Sequence, residues 1–112
     1  VQRAGVAALT GDQSLLEEMR GCFQRRRDLF VDGLNRLGYA TQKPQATFYA
    51  WSHIPGGEPS APFARRLLDQ AGVVVTPGAG FGPHGEGYFR AALTVDEARL
   101  SEAIERIRQV SR

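Results

Sequence analysis

Lysine is all but missing from this sequence. Of its 14 cationic side chains, thirteen are arginines and one is Lys43. Covalent chemistry that begins with an amine can therefore draw only on Lys43 or the chain terminus. Cysteine is just as scarce. Cys22 stands alone, which excludes an internal disulfide and agrees with a cytoplasmic setting. Inside a helical pattern it reads as a small buried hydrophobe, not a nucleophile. The two histidines, His53 and His84, lie far apart, and neither has a second His, Cys or carboxylate at ligand spacing, so no metal site is expected. No apolar run is long enough to span a bilayer, so no membrane partner is expected. The opening VQRAGVAAL lacks the basic segment, long apolar core and cleavage site of a signal peptide. A net charge of +2 is too small to announce a nucleic-acid partner.

What remains is a chain of 112 residues with the apolar content of a soluble globular protein, long enough to bury a core as one domain. The absence of an initiator Met predicts that it is a piece of a longer polypeptide.

The longest periodic pattern covers residues 12 to 37. Leu15, Leu16, Met19, Phe23, Phe30, Leu34 and Leu37 form an apolar stripe at helical spacing. Asp12 is placed to cap its start, and Gly38 lies just past its end. Arg25, Arg26 and Arg27 fan around this helix as a solvated face. Residues 2 to 9 predict a shorter helix. Residues 39 to 42 predict a short strand, 43 to 45 its turn, and 47 to 52 a second strand in which Tyr49 and Trp51 alternate with Phe48 and Ala50. Residues 55 to 59 read as a loop. Ser60 is placed to cap a helix with the face Phe63, Ala64, Leu67, Leu68 and Ala71, ended by Gly72. Val73 to Val75 and Tyr88 to Thr94 predict two more strands. Thr94 and Glu97 have capping-box spacing before a last helix, whose buried face is Leu100, Ala103, Ile104, Ile107 and Val110. The order is that of a two-layer α/β sandwich, with a mixed or antiparallel sheet and helices on one face.

One stretch has unusual chemistry. TPGAGFGPHGEGYFR, residues 76 to 90, holds five glycines, two prolines and one arginine. Gly80, Gly82 and Gly85 satisfy the pattern G-x-G-x-x-G, which binds a dinucleotide only where it opens a helix. Pro83 interrupts it, and Tyr88 to Leu93 reads as extended, so the context fails. Alternation places Arg90 on one face with Tyr88 and Ala92. A guanidinium within an apolar strand needs an anionic partner. Either a structural carboxylate supplies it, or the planar fork is held for a ligand's carboxylate.

TFYAW (47–51), FARRLLDQAGVVVTPGAGFGPHGEGYFRAALT (63–94) and EARLSEAIERI (97–107) resemble the C-terminal part of fold-type I, pyridoxal phosphate-dependent aminotransferases of class I/II. The phrase GVVVTPGAGFGPHGEGYFRAALT is especially similar to the LL-diaminopimelate aminotransferases and close bacterial relatives. The resemblance runs over nearly the whole chain and implies a small C-terminal domain, residues 1 to 112. Residues 1 to 11 would then be a remnant of the large domain or of the segment between domains. It implies amino-acid and 2-oxo-acid substrates, and a parent enzyme that is a homodimer. It gives Arg90 the substrate α-carboxylate, places Phe81 close to the site, and makes the glycine-rich loop a mobile element beside it. Pyridoxal 5'-phosphate is implied as cofactor, with its lysine and acidic partner upstream of this chain. Lys43, in a turn before Pro44, matches no lysine motif of the family, so the chain alone is expected to be inactive. Ala46-Thr47 departs from the glycine that relatives often carry before this strand, which leaves the backbone path there open. Two rival readings are a stand-alone carboxylate-binding module and an interaction domain that sticks through residues 1 to 9.

Overall fold

A computed structural model describes residues 1–110. Helix α1 (Gln2–Thr10) is followed by the long helix α2 (Ser14–Arg36). Strand β1 (Tyr49–His53) leads through a 3-10 turn to helix α3 (Ser60–Arg66), whose last turn widens into a π-helix over Leu67–Ala71. A two-residue strand β2 (Thr76–Pro77), two 3-10 turns (Gly78–Phe81 and Pro83–Gly85), strand β3 (Tyr88–Ala92) and helix α4 (Glu97–Val110) complete the order. β3 is the middle strand and pairs antiparallel with both neighbours. The sheet is antiparallel, which resolves the choice that the sequence leaves open.

Strand alternation divides the sheet into two faces. Ala50, Ser52, Phe89 and Ala91 are buried on one of them. There they meet Phe30, Val31 and Leu34 from α2, Phe63 and Leu67 from the α3 segment, and Leu100 and Ile107 from α4. The helices thus cover one face, and the core fills the space between. Each of these helices contributes to it, but four residues of the predicted faces stay exposed: Leu68, Leu15, Leu16 and Met19. Residues 1 to 20 are exposed throughout, so α1 and the start of α2 extend from the body as an arm. The radius of gyration is accordingly 16.2 Å, where a compact chain of this length has about 13 Å.

Several local expectations need correction. The strand expected at 39 to 42 shrinks to one bridge, Thr41 opposite Ser52. Asn35 explains this, because its amide accepts the Thr41 N–H at 2.8 Å and donates to the Thr41 carbonyl at 3.0 Å. Those are the groups a ladder partner would have used. Val73 to Val75 is not a strand either. The Val73 N–H closes the preceding helix on Leu67 O at 3.1 Å, and pairing begins only at Thr76. Asp12 accepts the Ser14 N–H at 2.9 Å, but the N-cap position of α2 is held by Gln13, not by Asp12. The capping box at Thr94 is replaced by Asp96, whose Oδ1 accepts the Arg99 N–H at 2.8 Å. Glu97 turns instead to Arg25, at 3.1 Å. Ser60 does not cap α3 with its side chain, since Pro59 holds that position. Cys22 is partly buried, not enclosed. Among the described residues no helix is long and apolar enough to cross a membrane.

Candidate carboxylate-binding site

The face of the sheet away from the helices carries the chemistry. Cross-strand register sets Trp51 opposite Arg90, and His53 opposite Tyr88. On the other edge Thr76 lies opposite Arg90. Side chains directly opposite one another in an antiparallel pair share a face. Tyr49, Trp51, His53, Tyr88 and Arg90 therefore form one surface, and the loop after β2 adds Phe81 from above.

Arg90 is the centre of this surface. Its guanidinium carbon lies 4.1 Å from the ring centre of Tyr49 and 4.6 Å from that of Phe81. Both distances are within cation–π range, so the two rings hold the planar group between them. Its Nε is buried and has no hydrogen-bond partner, a state it shares with Arg26 Nε; Arg26, however, places Nη1 on the Leu93 carbonyl. Among the described residues no carboxylate pairs with Arg90, although ten other ion pairs are formed. Leaving such a donor unsatisfied is costly, and an unsatisfied group in a native fold calls for an explanation. An arriving carboxylate would supply the missing acceptor.

The neighbouring rings form a continuous wall. Trp51 stacks on Tyr88 with ring centres 5.6 Å apart and planes at 17°, and meets Phe81 edge-on, also at 5.6 Å. His53 meets Tyr88 edge-on at 5.2 Å. His53 and His84 are both exposed and line a shared depression with Tyr49, Trp51 and Tyr88. Tyr49 is the part of this arrangement that sequence reasoning missed. The alternation of Tyr49 with Trp51 was visible, but which residue of β3 they oppose depends on register.

The glycine-rich loop is compact here. Gly78 and Gly85 press their backbones together, so that a Cβ on Gly78 would lie 1.9 Å from the Gly85 carbonyl oxygen and 2.6 Å from that of Tyr88. No side-chain rotation relieves a clash between backbone atoms. Gly78→Ala is expected to cost roughly 1–3 kcal/mol by overpacking. Gly80→Ala, with nothing within 4 Å of the added carbon, should change stability by less than about 0.5 kcal/mol. Urea unfolding midpoints of the two variants check this, and equal midpoints would contradict the tight loop.

Lys43 sits elsewhere. Its Nζ pairs with Asp32 at 3.1 Å and with Asp28 at 3.5 Å. The bond to Asp32 is the main reason its amine is held protonated above the ordinary lysine range. Among the described residues no group of three or more His, Cys, Asp or Glu could hold a metal ion. The arginine run disperses: Arg25 meets Glu97, Arg26 donates to Leu93 O at 3.3 Å, and Arg27 pairs with Asp28 at 2.8 Å.

Comparison with known proteins adds a second line of observation. Residues 1–107 match the family model for aminotransferase class I and II. The LL-diaminopimelate aminotransferase of Moorella thermoacetica is 56% identical over 110 residues, covering 98% of this chain and 28% of that protein. The enzyme of the same name from Syntrophobacter fumaroxidans is 50% identical over 111 residues, covering 99% of this chain and 29% of that protein. Among solved structures, the aromatic aminotransferase of Pyrococcus horikoshii superposes with a TM-score of 0.91 at 39% identity, over 97% of this chain and 30% of that one. The chain thus spans less than a third of the length of these relatives.

Proposed function

Because the chain belongs to the aminotransferase class I and II family, we propose that it forms the C-terminal small domain of an enzyme that moves an amino group between an amino acid and a 2-oxo acid. Residues 1 to 11 form a remnant of the large domain or of the segment that joins the two. Arg90 binds the substrate α-carboxylate. A diaminopimelate-type dicarboxylic amino acid is the favoured substrate, supported by the LL-diaminopimelate aminotransferases of Moorella thermoacetica and Syntrophobacter fumaroxidans, which this chain resembles. The parent enzyme acts in the cytoplasm as a homodimer, as the family resemblance implies.

The observation that carries this reading is the buried, unpartnered Nε of Arg90, whose guanidinium lies against the rings of Tyr49 and Phe81. A bidentate carboxylate would use two parallel N–H bonds and fix the plane of the substrate's α-carbon end. Arg90 is half-buried and its Nε is out of water, so an ion pair there forms at a lower effective dielectric than on open surface. Substrate held in this way is oriented before any chemistry begins.

Pyridoxal phosphate supplies the amino-transfer chemistry in this family, and the residues of this chain do not fit it. The only lysine is Lys43, committed to Asp28 and Asp32 in a charged state. A lysine that bonds to an aldehyde must reach it as a neutral amine. The residues that hold the cofactor therefore belong to the remainder of the parent enzyme, and Lys43 is structural.

Two assays test the proposal together. The chain 1–112, mixed with pyridoxal phosphate, should transaminate no faster than pyridoxal phosphate alone. The whole enzyme containing this segment should consume a dicarboxylic amino acid in the presence of 2-oxoglutarate. Transamination by the isolated chain, or none by the whole enzyme with any amino acid, would overturn it.

A further inference from the structure

The loop from Ala79 to Glu86 carries Phe81 over Arg90, yet Phe81 is 50% exposed. A ring that keeps half its surface in water is not fixed by burial. Its backbone must be held instead, and one residue holds it at both ends. Ser60, with no exposed surface, lies in the first turn of α3. Its Oγ accepts the Ala79 N–H at 3.1 Å, two residues before Phe81. Its own N–H donates to Oε1 of Glu86 at 2.6 Å, at the far end of the loop. The same Glu86 oxygen also accepts the Gly87 N–H at 3.0 Å. Backbone contact between Gly78 and Gly85 closes the base between these two anchors.

We infer that Ser60 and Glu86 are positioning residues, a latch that sets where Phe81 stands over Arg90 and so how tightly Arg90 takes a carboxylate. The affinity part of this inference rests on the reading of Arg90 as the carboxylate site. The positional part does not.

Burial and charge agree with the assignment. A serine hydroxyl sealed from water keeps its hydrogen bond, because the alternative is an unsatisfied amide at Ala79. The Ser60 N–H, foremost, and then the Gly87 N–H hold the Glu86 carboxyl below the usual carboxylate range, so that it is ionised near neutral pH. A negative group at the start of α3 also faces the unpaired N–H groups of that helix end.

The test uses the chain 1–112 and 2-oxoglutarate as the probe. NMR follows the Phe81 ring and the Arg90 Nε–H with and without the probe. Ser60→Ala and Glu86→Ala should each shift the Phe81 and Arg90 signals in the absence of 2-oxoglutarate, and weaken its binding roughly 3- to 10-fold, the scale of one lost hydrogen bond. Glu86→Gln keeps an acceptor oxygen and should retain most of the affinity. In a Phe81→Ala background, where no ring is left to position, Ser60→Ala should weaken binding less than twofold further. An equal loss in both backgrounds, or unchanged Phe81 signals in Ser60→Ala and Glu86→Ala alike, would overturn the latch. If one variant fails to fold, the other gives the same reading. Binding that survives Arg90→Ala would instead sink the carboxylate site, and the Phe81 shifts would still decide the latch.

Discussion

Replacing Arg90 with alanine in the proposed aminotransferase is expected to lower kcat/KM for an amino-acid substrate by roughly 30-fold to several thousand-fold. The range follows from the cost of removing one partner of a desolvated, hydrogen-bonded charge pair, about 2–5 kcal/mol. Three features place Arg90 in that class. Its Nε is already out of water, its plane is fixed between two rings, and no carboxylate among the described residues neutralises it. Arg90→Lys keeps the charge but loses the fork, so it should recover only part of the loss. Steady-state kinetics at saturating 2-oxo acid would measure both variants. A change below threefold in Arg90→Ala would mean that the guanidinium serves the fold and another residue holds the carboxylate. The melting temperature of Arg90→Ala separates the two roles, because removing a ligand-binding arginine should leave it nearly unchanged.

Much of this arrangement could be read from residue pattern. In the strand Tyr88 to Ala92, the polar-tipped Tyr88 and Arg90 alternate with the apolar Phe89 and Ala91, so the face of Arg90 follows from the sequence. The buried positions of α4 and of the second half of α2 follow from helical spacing in the same way. The stripe of Leu15, Leu16 and Met19 obeys that spacing too, yet stays exposed. Periodicity shows which side of a helix is apolar but not what will cover it. Other features depend on tertiary choices that no local pattern encodes. Asn35 takes both backbone groups of Thr41 and cuts short a strand that propensity favoured. Ser60 looks like a helix cap by position, but its hydroxyl reaches Ala79, 19 residues on. Tyr49 covers Arg90 only because β1 and β3 pair with Trp51 opposite Arg90. A shift of one residue would have turned Tyr49 into the core.

Phe89 neighbours Arg90 and points the other way, and the largest stability effect is expected there. It is fully buried and packs against Phe63 with ring centres 5.1 Å apart and edge-on to Tyr39 at 5.9 Å. Phe89→Ala removes the ring that joins the sheet to the α3 segment and to the turn after α2. Truncations of this kind cost about 3–5 kcal/mol, the sum of lost transfer energy and the cavity left behind. For a domain of this size that lowers Tm by roughly 10–25 °C. Phe89→Leu refills much of the volume and should cost less than half as much. The cavity matters to the proposed carboxylate site as well, because β3 is the middle strand and positions both Tyr88 and Arg90. Below its lowered Tm, however, Phe89→Ala should still bind 2-oxoglutarate within a fewfold of the unaltered chain, since its side chain does not reach that face. Adjacent residues on one strand thus yield opposite signatures: Arg90→Ala loses the ligand and keeps the fold, whereas Phe89→Ala keeps the ligand and loses stability. Calorimetry and binding on the same two proteins would test that separation. If Phe89→Ala abolished binding while still folded, the two faces of the strand would be coupled, and Arg90 would depend on core packing as well as on the rings that hold it.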